Sequence, residues 1–181
     1  MNLEFDVISS SFNENQVTLL NKAPHTYCMK LAEYKCMVVS KNYSNSLVIG
    51  SDTIVYHNKK ILNKPKNQEQ AKKHLSALSD STHIVYTGVF AHIKSSNTTL
   101  SFYDKTYVAF YKLNNKDINY YIDYFKPYDK AGSYGIQDWS MVFVKKINGC
   151  FNNVVGFPMS KFFKLGLSND TINKVIKHNL I

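Results

Sequence analysis

The sequence predicts an α/β fold in which a mixed, twisted sheet is flanked by helices. Segments rich in Ile, Val, Tyr and Thr alternate along the chain with segments whose apolar residues recur every three or four positions. Two long strand-like segments, 83–94 and 98–113, are separated by the short turn 95–97, which indicates a hairpin. The hairpin excludes a purely parallel sheet, and a mixed sheet covered by helices buries these apolar faces.

The predicted elements, in chain order, are a strand at 3–9, a helix at 24–41, a strand at 47–57, a helix at 67–78, strands at 83–94 and 98–113, a helix at 115–125, a strand at 140–147, and helices around 160–165 and 170–180. The first helix is predicted from apolar spacing between Met29 and Val39. The second has Asn67 as its N-cap and Gln70 in the reciprocal capping position. Pro127 ends the third.

Composition is that of an ordinary globular protein. The 181 residues fit a single domain over 1–181, with 44% hydrophobic and 19% charged residues. The formal charge of +9 is scattered without a run of five or more, which favours compositional drift over a nucleic-acid-binding stripe. Three cysteines without a CxxC pair, no bilayer-length apolar stretch and no signal peptide predict a cytoplasmic protein in a reduced compartment.

Two motifs place a charged residue in an unusual setting. In residues 50–53 (GSDT), Asp52 interrupts a run of Ile, Leu and Val. A carboxylate is costly to bury there unless it is paired or binds a metal, and a strand-end turn is the alternative. Lys64 precedes Pro65, which favours extended backbone, so it either projects a fixed cation into a cleft or lies solvated in an exposed turn.

Two further motifs contain glycine. Residues 129–137 (DKAGSYGIQ) carry two glycines three apart, which let backbone amides approach a ligand closely. Gln137 both donates and accepts hydrogen bonds and so suits the edge of a base, although a purely structural loop is the alternative. Residues 152–159 (NNVVGFPM) form a turn punctuated by Gly and Pro, to which we assign packing and loop shape.

The order of these blocks resembles the Maf family of nucleotide pyrophosphatases. The matching blocks are GSDTIV, ILNKP, a capped helix ending in LS, HIVYTGV, DKAGSYGIQ and NNVVGFP, over roughly residues 5–165. The resemblance implies an inosine-triphosphatase-like fold with an active-site cleft, and hydrolysis of a nucleoside triphosphate to the monophosphate and pyrophosphate. The DT and YGIQ forms resemble the branch that acts on dTTP and UTP rather than on a methylated guanine nucleotide.

The resemblance also implies roles for two carboxylates. Asp52 matches the family's proposed general base. Glu14 matches the Glu that closes an acidic turn, although Asn13 stands where the family usually has Asp. Glu14 and Asp52 would together hold Mg²⁺ or Mn²⁺ against the triphosphate, since hard cations prefer oxygen ligands.

Four other residues match the family's substrate-binding positions. Lys35 and Lys64 correspond to lysines that neutralise charge on the phosphates as pyrophosphate leaves. Thr53 and Gln137 correspond to positions associated with selection of the base. The predicted partner is therefore a nucleoside triphosphate, with neither nucleic acid nor membrane, and a homodimer remains open.

One departure concerns the N-terminus. Family members begin with a strand and then S-x-x-R-R-x-x-L-L on a helix, whose arginines bind phosphates. This sequence starts after that segment, so we expect codons for it in frame upstream of Met1. The alternative function is a catalytically impaired, nucleotide-binding regulatory protein, in line with the family's association with septum formation and division arrest.

Overall fold

The computed structural model describes residues 5–14, 17 and 23–178. Its strands are β1 (Val48–His57), β2 (Lys60–Leu62), β3 (Thr82–Ile93), β4 (Thr98–Phe110) and β5 (Val144–Asn148). Its helices are α1 (Pro24–Ser40), α2 (Gln68–Leu78), α3 (Asn115–Phe125), α4 (Phe151–Val155), α5 (Met159–Leu167) and α6 (Asp170–His178), with 3₁₀ segments at Ala131–Ser133 and Trp139–Phe143. None of these described helices combines the length and hydropathy that crossing a bilayer requires.

The five strands form one sheet in the order β2-β1-β3-β4-β5. β1 pairs antiparallel with β2, with Val55 opposite Leu62, and β4 pairs antiparallel with β5, with Val108 opposite Ile147. The α/β class is confirmed, but the sheet is antiparallel rather than mixed. The reason is the unpredicted strand β2, which reverses the chain before α2 and so makes β3 return antiparallel to β1.

Local signals located α1, α2 and α3 to within one residue at each end. The Asn67 side chain accepts a hydrogen bond from the Gln70 amide at 2.9 Å, as an N-cap should. The reciprocal contact differs from the prediction: the Gln70 side chain accepts from the Lys66 amide at 2.8 Å. Its flexible side chain thus satisfies the amide that precedes the cap rather than the amide of the cap itself.

Two strand predictions are wrong in part. Residues 5–9 form no strand, and Phe5 and Val7 are 80% and 87% exposed; residues 3 and 4 of that prediction lie outside the described residues. A strand needs a neighbour for its backbone hydrogen bonds, and apolar composition alone does not supply one. The segment predicted as a strand from residue 140 begins as the 3₁₀ segment Trp139–Phe143, because the Asp138 side chain caps it by accepting from the Ser140 amide.

Contacts divide the chain into two compact units. The first comprises residues 1–52, 88–103 and 158–181, and the second comprises residues 53–87 and 104–157. The main hydrophobic cluster lies in the second unit and consists of Val55, Ala71, Leu75, Leu78, Val85, Val108, Phe110, Ile118, Tyr121, Ile122, Tyr134, Ile136 and Phe143. The single domain over 1–181 and the active-site cleft stay predictions.

Candidate active site

Three residues singled out in the sequence, Glu14, Lys35 and Asp52, lie together in the first unit. The Lys35 Nζ is 2.8 Å from Glu14 Oε1 and 2.6 Å from Asp52 Oδ1. The Asp52 side chain is only 10% exposed, whereas those of Lys35 and Glu14 are 23% and 42% exposed. A carboxylate buried to this extent depends on its cationic partner, so Lys35 and Asp52 form the inner part of the cluster.

The two carboxylates hold Lys35 in its charged form. Burial by itself lowers the pKa of Lys35, but attraction to Asp52 and hydrogen bonds to both carboxylates outweigh burial, so the pKa is raised. Its contribution to stability is therefore complete at neutral pH and is lost only as the pH rises through the raised pKa. Tyr27, which sequence reasoning missed, lies in the field of this cluster: its pKa is raised first by burial and then by the charges of Asp52 and Glu14.

The cluster forms because α1 lies directly against β1 and β3. A Cβ atom at Gly50 would overlap the carbonyl oxygen of Ala32, and one at Gly88 would lie 2.6 Å from the Met29 Cα. Only glycine permits such a close approach of a helix to a strand. Gly50 belongs to a motif found in the sequence, whereas Gly88 was missed, and its place in the HIVYTGV block was the available signal.

Glu14 and Asp52 are also the predicted metal ligands. Within the part of the chain that the structure describes, no three His, Cys, Asp or Glu side chains are grouped to hold a metal ion. Mg²⁺, however, is commonly held by one or two carboxylates together with substrate phosphates and waters. Two carboxylates already converge on one positive group here, so the donor set fits a hard cation shared with phosphates.

Thr53, the predicted base-selecting residue, belongs to a hydrogen-bonded chain in the second unit. Its Oγ1 is 2.8 Å from the Thr87 Oγ1, which in turn donates to the Asn153 carbonyl at 2.7 Å. Thr87 and Asn153 are fully buried. Sequence reasoning missed both, and it predicted a turn where Asn153 lies on the short helix α4. Their only sequence signal is membership of the HIVYTGV and NNVVGFP blocks.

Two buried histidines anchor the glycine-containing loop in the same unit. His74 Nδ1 is 2.8 Å from the Ser133 hydroxyl, and His83 Nε2 is 2.8 Å from the Tyr134 hydroxyl. Gly132 and Ser133 have φ angles of 69° and 65°, a left-handed backbone that glycine adopts readily and serine adopts at a cost. The histidine contacts hold this strained segment in place.

We expect acid to weaken this anchor. Burial, and secondarily the charge of His57, lowers the pKa of His83 to about 3. Between that pH and the ordinary pKa of about 6.5, the unfolded chain is protonated at His83 and the folded chain is not. The free energy of unfolding should fall by roughly 1.4 kcal/mol per pH unit from this group as the pH drops below about 6.5. Urea unfolding between pH 7 and pH 4 measures it. His83→Gln should reduce the dependence of the unfolding free energy on pH. A smaller contribution from His74, whose pKa is also lowered by burial, should remain. An unchanged pH dependence in His83→Gln would contradict the assignment to His83.

Lys64 and Gln137, the remaining predicted residues, are both exposed in the second unit. The pKa of Asp129 is lowered, chiefly by a hydrogen bond from Lys130 and least by the charge of Lys64. Lys64 is therefore within electrostatic range of the start of the glycine-containing loop. Among the described residues neither Lys64 nor Gln137 makes a side-chain hydrogen bond or ion pair with a neighbour, so both roles stay predictions.

Comparison with known proteins gives consistent matches. The sequence model of the family "Maf-like protein" matches residues 1–167. The chain is 41% identical over 162 residues to the dTTP/UTP pyrophosphatase of Clostridium perfringens strain SM101, covering 89% of this chain and 84% of that protein. It is 43% identical over 161 residues to the protein of the same name from Clostridium botulinum strain 657, covering 87% and 82%. A Bacillus mycoides relative of that name is 43% identical over 142 residues, covering 78% and 73%.

Proposed function

Because the chain belongs to the Maf-like protein family, we propose that it hydrolyses dTTP or UTP to the nucleoside monophosphate and pyrophosphate. The substrates are those in the names of relatives that are 41% and 43% identical to it. One structural observation carries the proposal: two carboxylates converge on the Lys35 ammonium in the first unit. A cation-paired carboxylate of low exposure is a common arrangement for a general base in phosphate chemistry.

In the proposed reaction, water attacks the α-phosphorus. A new P–O bond forms, and the bond from phosphorus to the bridging oxygen of pyrophosphate breaks, with the electron pair leaving on that oxygen. Asp52 orients the water and accepts its proton. Lys35 and Lys64 neutralise the negative charge that accumulates on the phosphates as pyrophosphate departs. Thr53 and Gln137 contact the base and select a pyrimidine.

Glu14 and Asp52 are the residues that would hold Mg²⁺ or Mn²⁺. When bound, such a cation neutralises phosphate charge and orients the triphosphate. The protein's own share is to keep both carboxylates together, which Lys35 does in the structure.

The activity is tested by pyrophosphate release from each nucleoside triphosphate, with Mg²⁺ or Mn²⁺. We expect turnover of dTTP and UTP, and slower turnover of dCTP, dATP and dGTP. Calorimetry with dTTP runs in parallel. Binding of dTTP without hydrolysis over hours would replace the proposal with a nucleotide-binding regulatory protein, and absence of both binding and hydrolysis would reject both functions.

A further inference from the structure

The Thr53–Thr87–Asn153 chain has only one possible arrangement of hydroxyl protons. A carbonyl oxygen only accepts hydrogen bonds, so the contact of 2.7 Å between Thr87 Oγ1 and the Asn153 carbonyl uses the single proton of Thr87. The contact of 2.8 Å between Thr53 and Thr87 must then be donated by Thr53. The Thr53 hydroxyl has no proton left, and toward any further group it is only an acceptor.

The Asn153 end of this chain is fixed. Its Nδ2 donates to the Val85 carbonyl at 3.1 Å and to Thr106 Oγ1 at 2.9 Å. Thr106 Oγ1 also accepts from the Cys150 amide at 3.1 Å and donates to the Cys150 carbonyl at 3.0 Å, so its own proton is used as well. These bonds hold the Asn153 side chain, and with it the backbone carbonyl of Asn153 on α4, so the Thr87 hydroxyl keeps its acceptor and Thr53 continues to donate to Thr87.

Space beside Thr53 is kept by Gly156, which follows α4. A Cβ atom at Gly156 would lie 3.5 Å from Thr53 Oγ1, and the φ of Gly156 is 123°, a conformation that disfavours other residues. Thr53 is itself partly exposed. A ligand can therefore approach Thr53 Oγ1 past Gly156, whereas a side chain at position 156 would narrow that approach.

We propose that Thr87 and Asn153 are positioning residues that make Thr53 accept, and never donate, a hydrogen bond from the substrate base. The ligand class is a pyrimidine with an imide N3–H, as in thymine and uracil. Cytosine presents an unprotonated N3, which would face the Thr53 lone pairs without a proton between them. This inference rests on the proposed role of Thr53 in selecting the base.

The test is the ratio of kcat/KM for dTTP to that for dCTP in Thr87→Val. Valine keeps the shape and removes the acceptor, so the Thr53 proton becomes free to turn toward cytosine N3. The ratio should decrease by about 5-fold to 100-fold, mainly through a lower KM for dCTP. Thr87→Ser restores the hydroxyl and should restore the ratio. Thr82→Val, the same change at an exposed position of β3, is the matched control and should leave the ratio unchanged.

An unchanged ratio in a folded Thr87→Val protein overturns the inference while the proposed hydrolysis stands. If Thr87→Val does not fold, Thr53→Val tests the same inference, because it removes the Thr53 acceptor itself. It should lower kcat/KM for dTTP without lowering kcat/KM for dCTP. If the wild-type chain binds nucleotide but does not hydrolyse it, the ratio of dissociation constants for dTTP and dCTP replaces kcat/KM. Failure of hydrolysis is thereby separated from failure of base selection, and a chain that binds neither nucleotide rejects both.

Discussion

Asp52→Asn should lower kcat for dTTP by about 10²- to 10⁴-fold, the range typical of losing a general base. The asparagine keeps the shape of the side chain and an oxygen that accepts from Lys35, so the packing of α1 against β1 should survive. The amide cannot take a proton from water, and the chemical step is what fails. At a Mg²⁺ concentration that saturates the site formed by Glu14 and Asp52, we therefore expect KM to change much less than kcat, as measured by pyrophosphate release across dTTP concentrations.

Asp80→Asn is the matched control for this substitution. Asp80 is exposed, and its φ of 53° is a conformation that asparagine tolerates well, so kcat and the melting temperature should stay at wild-type values. An Asp52→Asn protein that melts like wild type and retains kcat within about twofold would remove Asp52 as the base.

The sequence was informative wherever a signal is local. Apolar spacing located α1, and the Asn67 cap located α2. The long strands and the turn between them were located by composition. The family resemblance predicted that Glu14, Lys35 and Asp52 belong to one site, and ion pairs join the same three residues in the structure. Their roles in catalysis stay predictions.

Signals failed where structure depends on distant partners. Strand β2 has three residues, too few for a periodic pattern, and it follows a turn in which Asn58 and Lys59 have positive φ. Thr87 and Asn153 are 66 residues apart, so neither sequence neighbourhood reveals that one hydroxyl donates to the other's carbonyl. The residues around Gly88 in the sequence do not indicate that α1 packs against it. Each of these features exists only once the sheet has formed.

Lys35→Met should lower kcat for dTTP by about 10²- to 10³-fold, the cost of removing one electrostatic stabiliser of phosphate charge. Methionine keeps the length of the side chain but leaves the carboxylates of Glu14 and Asp52 facing each other without their shared cation, so the melting temperature should also fall.

Lys35→Arg separates charge from shape: it should recover much of the melting temperature, because a cation again lies between the carboxylates, while kcat recovers only if the guanidinium also reaches the phosphates. Lys30→Met, on the same helix, is the matched control, since the Lys30 and Glu33 side chains are 44% and 36% exposed and ion pairs so open to water contribute little. Its kcat and melting temperature should match wild type. A folded Lys35→Met protein with kcat within about threefold of the Lys30→Met value would show that Lys35 only organises the carboxylates and does not act on the phosphates.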